Sequence, residues 1–175
     1  MDINAQLIAT AERLFDHDGF NATGMGRLVS ESGLSSRTVY KHVVSKNRLM
    51  AQVLTQRQSR FFAQTEFASI DALFGSLRHW VEREGARGCL FFRTRAETGG
   101  AIPEIEAAVA EYHARLRAGV AELVARETGH HEEELTDQIL SLFEGAITVA
   151  SYRDCAVIEA AAQGARQLIA GSNTR

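Results

Sequence analysis

Apolar residues return along this chain at intervals of three and four, the spacing that lines one face of a helix. Ile3, Leu7, Ile8, Ala11, Leu14 and Phe15 make the first such stripe, and Gly19 supplies its stop, so the pattern predicts a helix over 3–18. A short segment follows, with Thr23 as candidate N-cap and Leu28 and Val29 facing inward, and it ends at Gly33. Ser35 or Ser36 can cap the next segment, which turns Val39 and Val43 inward. Ser45 precedes a longer helix carrying Leu49, Met50, Val53, Leu54, Phe61 and Phe62. Two short helices meeting at a tight glycine turn cross steeply, as in a helix-turn-helix, and the polar face of the second points outward.

Beyond residue 65 the predicted helices lengthen: 70–84, a short one at 89–98, then 103–128, 132–151 and 154–170. GARG, GGAIP, TGHH and YRD separate them. The helix after Pro103 has one apolar stripe running from Ile105 through Val109, Tyr112 and Leu116 to Val120 and Leu123. The last two are apolar on two sides. In 135–150, Leu135, Ile139, Leu142, Ala146 and Val149 form one stripe, and Leu140, Phe143, Ile147 and Ala150 form another. A two-sided helix must bury both sides. One side can use the chain's own core, and the other a second copy of the chain, with Leu140, Phe143, Ile147, Ile158, Ala162 and Ala165 as the candidate contact; a wholly internal helix pair is the alternative.

The fold class is therefore all-α, with about nine helices: an N-terminal domain over 1–46 and a helical body over 47–175, joined through the helix at 47–65. Composition agrees, since 45% of the 175 residues are apolar and Pro103 is the single proline. No apolar run reaches the roughly 18 residues of a membrane span, so a soluble, cytoplasmic protein is expected. Cys89 and Cys155 lack the spacing of a zinc site or a disulfide framework, which fits a reducing compartment.

Charge adds what periodicity does not. Residues 1–65 hold eight Lys/Arg against five Asp/Glu, whereas residues 66–175 hold eleven against seventeen. Between Thr23 and Arg48 there are five basic residues and one acidic. A small basic module on an acidic body suits contact with nucleic acid through one end. No phosphate loop, nucleophile elbow, HExxH helix or suitably paired carboxylates occur, so neither enzymatic activity, a metal nor a cofactor is implied. The HHEEE run at 130–134 reads as a solvated loop.

Residues 19–50, GFNATGMGRLVSESGLSSRTVYKHVVSKNRLM, resemble the DNA-binding segment of the TetR family of transcriptional regulators. The matching positions are Gly19, Phe20, Thr23, Gly33, Ser35, Thr38, Tyr40, His42, Ser45, Lys46 and Leu49. Gly24, Arg37 and Val43 depart from the usual pattern. The resemblance implies a homodimer that binds double-stranded DNA at a palindromic operator, most often as a repressor released by a small-molecule effector.

It places Thr23, Ser35, Ser36, Arg37, Thr38, Tyr40, Lys41, His42 and Lys46 at the DNA. Thr23, Tyr40, His42 and Lys46 are implied phosphate anchors. Arg37 is the candidate for base reading, because a guanidinium can bridge guanine O6 and N7, and a phosphate grip is its alternative. Lys41 carries the same two readings, and Ser36 can reach bases or backbone. The implied effector pocket draws on Phe74, Leu77, Trp80, Phe91, Phe92, Arg95, Val109, Tyr112 and His113, each of which core packing would also explain.

Overall fold

The computed structural model describes residues 2–172; the extreme ends of the two segments divided above, residue 1 and residues 173–175, lie outside it. Among the described residues there are nine α-helices and no strand. Helix α1 (Ile3–Asp18) starts where the Asp2 carboxylate accepts the Asn4 N–H and buries Leu7, Ile8, Ala11, Leu14 and Phe15. It stops at Gly19, whose φ of 94° few side chains tolerate and whose N–H is donated back to the Phe15 carbonyl.

Helix α2 (Met25–Ser32) begins at Gly24 without a side-chain cap and ends at left-handed Gly33. Thr23 is thus not its cap. That hydroxyl is fully buried and donates to the Gly19 carbonyl at 2.8 Å, closing the loop between α1 and α2. Of the two serines offered for α3 (Ser36–His42), Ser35 is the cap, accepting the Thr38 N–H. Ser45 does the same for α4 (Lys46–Phe62), accepting from Arg48.

The remaining helices are α5 (Ile70–Glu84), capped by Ser69, α6 (Leu90–Thr98), α7 (Pro103–Thr128), α8 (Glu133–Ala150) and α9 (Ala156–Ser172). Pro103 opens α7 in the first turn, where its missing N–H costs nothing.

The chain forms two compact units. The first comprises Met1–Ser59 with Leu90–Tyr112, so it unites α1, α2, α3 and most of α4 with α6 and the opening of α7. Helix α1 packs on α2 and α3. Its core holds Leu7, Leu14, Phe15, Leu28, Val39, Met50, Leu54 and Ile105, each nearly or fully buried. The second unit comprises Arg60–Cys89 with His113–Arg175. There α8 packs on α9, and both pack on α5. Leu73, Phe74, Leu77, Leu116, Ile139 and Phe143 lie at its centre.

Candidate nucleic-acid interface

Helix α3 is seven residues long and anchored by few groups. Val39 and Val43 point into the core of the first unit, being 0% and 7% exposed. Everything on the other side faces solvent: Ser36, Arg37, Lys41 and His42 are exposed, and Tyr40 is 60% exposed. Ser35 and Thr38 are locked to each other, with hydroxyl oxygens 2.8 Å apart, so they pin the start of the helix. An exposed aromatic ring among cations, held on a helix with a buried opposite face, is suited to the major groove and its flanking phosphates.

The electrostatics set α3 apart from α1 and α2. On α1 and α2 the arginines are paired: Arg13 with Glu31 at 2.8 Å and Arg27 with Asp18 at 3.0 Å. The Asp18 carboxyl is held below its ordinary range by its hydrogen bond to His17 and by the Arg27 charge. Arg37 and Lys41 have no ion pair among the described residues. Their charge is therefore available to a polyanion without first breaking an internal contact.

Lys46, an expected phosphate anchor, also has partners within the protein. Its Nζ donates to the Phe20 carbonyl at 3.0 Å and to the Thr23 carbonyl at 3.2 Å, and it sits 4.2 Å over the Phe20 ring. Burial lowers its pKa, and the nearby Glu97 carboxylate opposes that shift. Two of its three N–H groups thus hold the α1–α2 loop, and Thr23 holds the same loop from within. Sequence spacing could not separate these two from Tyr40 and His42, because one lysine or threonine serves a backbone carbonyl or a phosphate equally well. Val44, just outside the inward positions Val39 and Val43, is 77% exposed in the turn after α3.

The candidate effector residues fall into separate groups. In the second unit Phe74 packs edge-on to Phe143, Leu77 is fully buried, and Trp80 meets Phe61 edge-on, while His113 is half-buried. In the first unit Phe91 stacks on Tyr112 with ring centroids 3.9 Å apart, and Val109 is buried. Phe92 and Arg95 are exposed, and Arg95 pairs with Glu106 at 3.2 Å. None of these nine residues lines the cavity of about 590 Å³ beside Ile8, Arg48 and Gln52, or the groove of about 1000 Å³ along α8 and α9.

The candidate dimer residues are placed on the inner side of the helix pair. Phe143, Ile147, Ile158, Ala162 and Ala165 are all buried within the second unit itself, and Leu140 is half-buried. The helical phase explains it: Phe143 shares its face with Ile139, Ala146 and Ala150, which α5 and α9 cover. The open side of the pair carries Gln138, Ser141, Leu142, Gly164, Gln167 and Leu168, which line the groove.

Short α2 and α3 joined at a left-handed glycine, with exposed cations on α3, make the arrangement of a helix-turn-helix. Residues 7–53 match the family model of bacterial regulatory proteins, tetR family. A curated relative, the HTH-type transcriptional regulator UidR of Escherichia coli K12, is 22% identical over 95% of this chain and 90% of its own. Among solved structures, a TetR-family transcriptional regulator from Streptomyces coelicolor superimposes with a TM-score of 0.84 at 23% identity, over 98% of this chain and 96% of its own. A TetR transcriptional regulator from Legionella pneumophila gives 0.79 at 18%, over 95% and 97%. Residues 7–53 thus match the tetR family of bacterial regulatory proteins, the chain shares the fold of solved TetR-family regulators, and it is a DNA-binding transcriptional regulator.

No described helix is long and apolar enough to cross a membrane.

Proposed function

We propose that the protein is a cytoplasmic, ligand-responsive repressor that binds a palindromic operator as a homodimer. The observation that carries this reading is α3: Arg37, Tyr40, Lys41 and His42 exposed on one face, the two cations unpaired, with Val39 and Val43 fixing the other. Arg37 reads a guanine from the first turn of α3, worth about 1–3 kcal/mol of discrimination. Tyr40 and His42 grip phosphates, and Ser36 and Lys41 lie beside them at the groove. Ser35 and Thr38 hold the helix start, while Thr23 and Lys46 act on DNA through the loop they hold. The open side of α8 and α9, centred on Leu142, Gly164 and Leu168, takes the second copy, since small residues let helices approach closely. A small-molecule effector acts through the buried aromatic groups around Trp80 and around Phe91, and no cofactor is required.

Selection of bound duplexes from a random pool tests the reading. The expected result is a palindrome with half-site centres roughly 34–36 Å apart, one duplex turn. Arg37→Ala is expected to relax the preference at one base pair in each half-site. A pool without an enriched palindrome at moderate salt overturns the proposal.

A further inference from the structure

Helix α6 lies away from α3 in sequence, yet two of its side chains reach the scaffold on which α3 is mounted. Arg93 donates from Nη1 to the Asp16 carboxylate at 3.2 Å and from Nη2 to the Asp16 carbonyl at 2.9 Å. Asp16 stands in the last turn of α1, where carbonyls lack helical partners and a cation is favoured by the helix dipole. One turn further along α6, the Glu97 carboxylate accepts the Asn21 backbone N–H at 2.8 Å, and the Asn21 side-chain amide donates to the Glu97 carbonyl, also at 2.8 Å. The same carboxylate lies against Gly19, where a Cβ would approach Oε1 to 3.1 Å.

The loop held by Glu97 is the loop held from its other side by Lys46, through the Phe20 and Thr23 carbonyls. Lys46 is the first residue of α4, three residues after the Val43 that closes α3. A displacement of the loop therefore passes to the head of α4 and to the end of α3, because the hydrogen bonds on both sides are charge-assisted and directional. Neither Arg93 nor Glu97 is on the α3 face.

We infer that Arg93 and Glu97 are positioning residues for DNA reading: from α6 they fix the α1–α2 loop and, through Lys46, the attitude of α3. The inference depends on DNA binding by this chain but not on an effector or on the dimer contact.

The test uses the full chain and a duplex enriched from a random pool by the wild-type protein. Glu97→Ala is expected to weaken binding to that duplex about tenfold, the scale of one charged hydrogen bond, with amide exchange accelerated over residues 19–24. Asn21→Ala, which removes only the separate side-chain bond to the Glu97 carbonyl, lowers affinity less, and the double variant loses at least as much as Glu97→Ala alone. Glu97→Gln recovers most of the loss, because its carbonyl oxygen still accepts the Asn21 N–H. The salt dependence of binding and the enriched sequence stay unchanged, which a lost phosphate or base contact would not allow. Affinity within twofold of wild type while the 19–24 amides exchange faster overturns the inference. So does a loss that merely tracks the fraction of folded protein on thermal titration. Should Glu97→Ala fail to fold, Asn21→Ala alone is read the same way: a smaller loss of affinity with faster exchange at 19–24 supports the inference, and unchanged affinity overturns it.

Discussion

The two units are held together by different physics. In the first, polar contacts penetrate the interior: Arg57 donates to Glu12 at 2.8 Å with side chains only 6% and 13% exposed, and Asp16 is similarly buried against Arg93. Gln58, also buried, donates to Glu111 at 3.0 Å. In the second, the interior is a set of rings. Phe61 meets Trp80 at 5.2 Å and 89°, Phe143 lies 6.4 Å from Phe61 and 5.8 Å from Phe74, and charged pairs such as Arg78–Glu82 stay at the surface. Directional bonds define positions and angles, while ring packing tolerates sliding and repacking. A unit that must present α3 to DNA at one angle uses the first. The unit that holds Trp80, one of the two proposed effector regions, uses the second.

Removal of the central ring is the largest expected effect. Phe143→Ala leaves a cavity amid Phe61 and Phe74 and is expected to cost about 3–5 kcal/mol in urea unfolding. A cost near 1 kcal/mol would mean that the second unit repacks freely. Arg57→Met tests the opposite kind of interior. It takes the guanidinium away from the buried Glu12 carboxylate, for an expected loss of about 3 kcal/mol, part of which Glu12→Leu in the same chain restores. If the second change brings no recovery, the pair contributes through shape and not through charge.

Gly119→Ala is a smaller and sharper probe of the ring-packed unit. A Cβ there would lie 2.5 Å from the Phe67 ring, whose neighbour is Phe62, stacked at 6.4 Å. Alanine is the better helix former by about 1 kcal/mol, so a net loss of about 1 kcal/mol means the ring cannot yield. In a Phe67→Ala background the sign is expected to reverse.

The smallest effect is pH-dependent. The Glu144 carboxyl is buried, with Oε1 lacking a partner, and burial raises its pKa above the ordinary 4.5 against a hydrogen bond from Cys89 that lowers it. A raised folded-state pKa gives stability that is complete below the unfolded value and is lost as pH rises through the folded value. The Glu144→Gln variant should therefore gain melting temperature relative to wild type as pH climbs from 4 toward neutrality. An unchanged difference across that range would show that the carboxyl is hydrated.

Much of this was legible from the order of residues. Periodicity located every helix to within a few positions, because each had a buried stripe and a glycine or polar break at its end. The α3 face was legible for the same reason: Val39 and Val43 fix which side is inward, so Arg37, Tyr40 and Lys41 must be outward. Lys46 and Thr23 were not, since a donor is defined by its partner and the Phe20, Thr23 and Gly19 carbonyls were anonymous in the sequence. Phe143 and Ile147 were not, because a helix with two apolar sides does not say which one its own chain will cover.

By itself, then, the sequence determined local conformation, the cationic face of a short capped helix, and through the spacing of Gly33, Tyr40, His42 and Lys46 the class of partner. Those depend on neighbours within a turn or two. The pairing of Arg93 with Asp16 and of Glu97 with Asn21 joins residues more than seventy positions apart. Only the tertiary fold decides such contacts, because their energy depends on burial and angle, which separation along the chain does not encode.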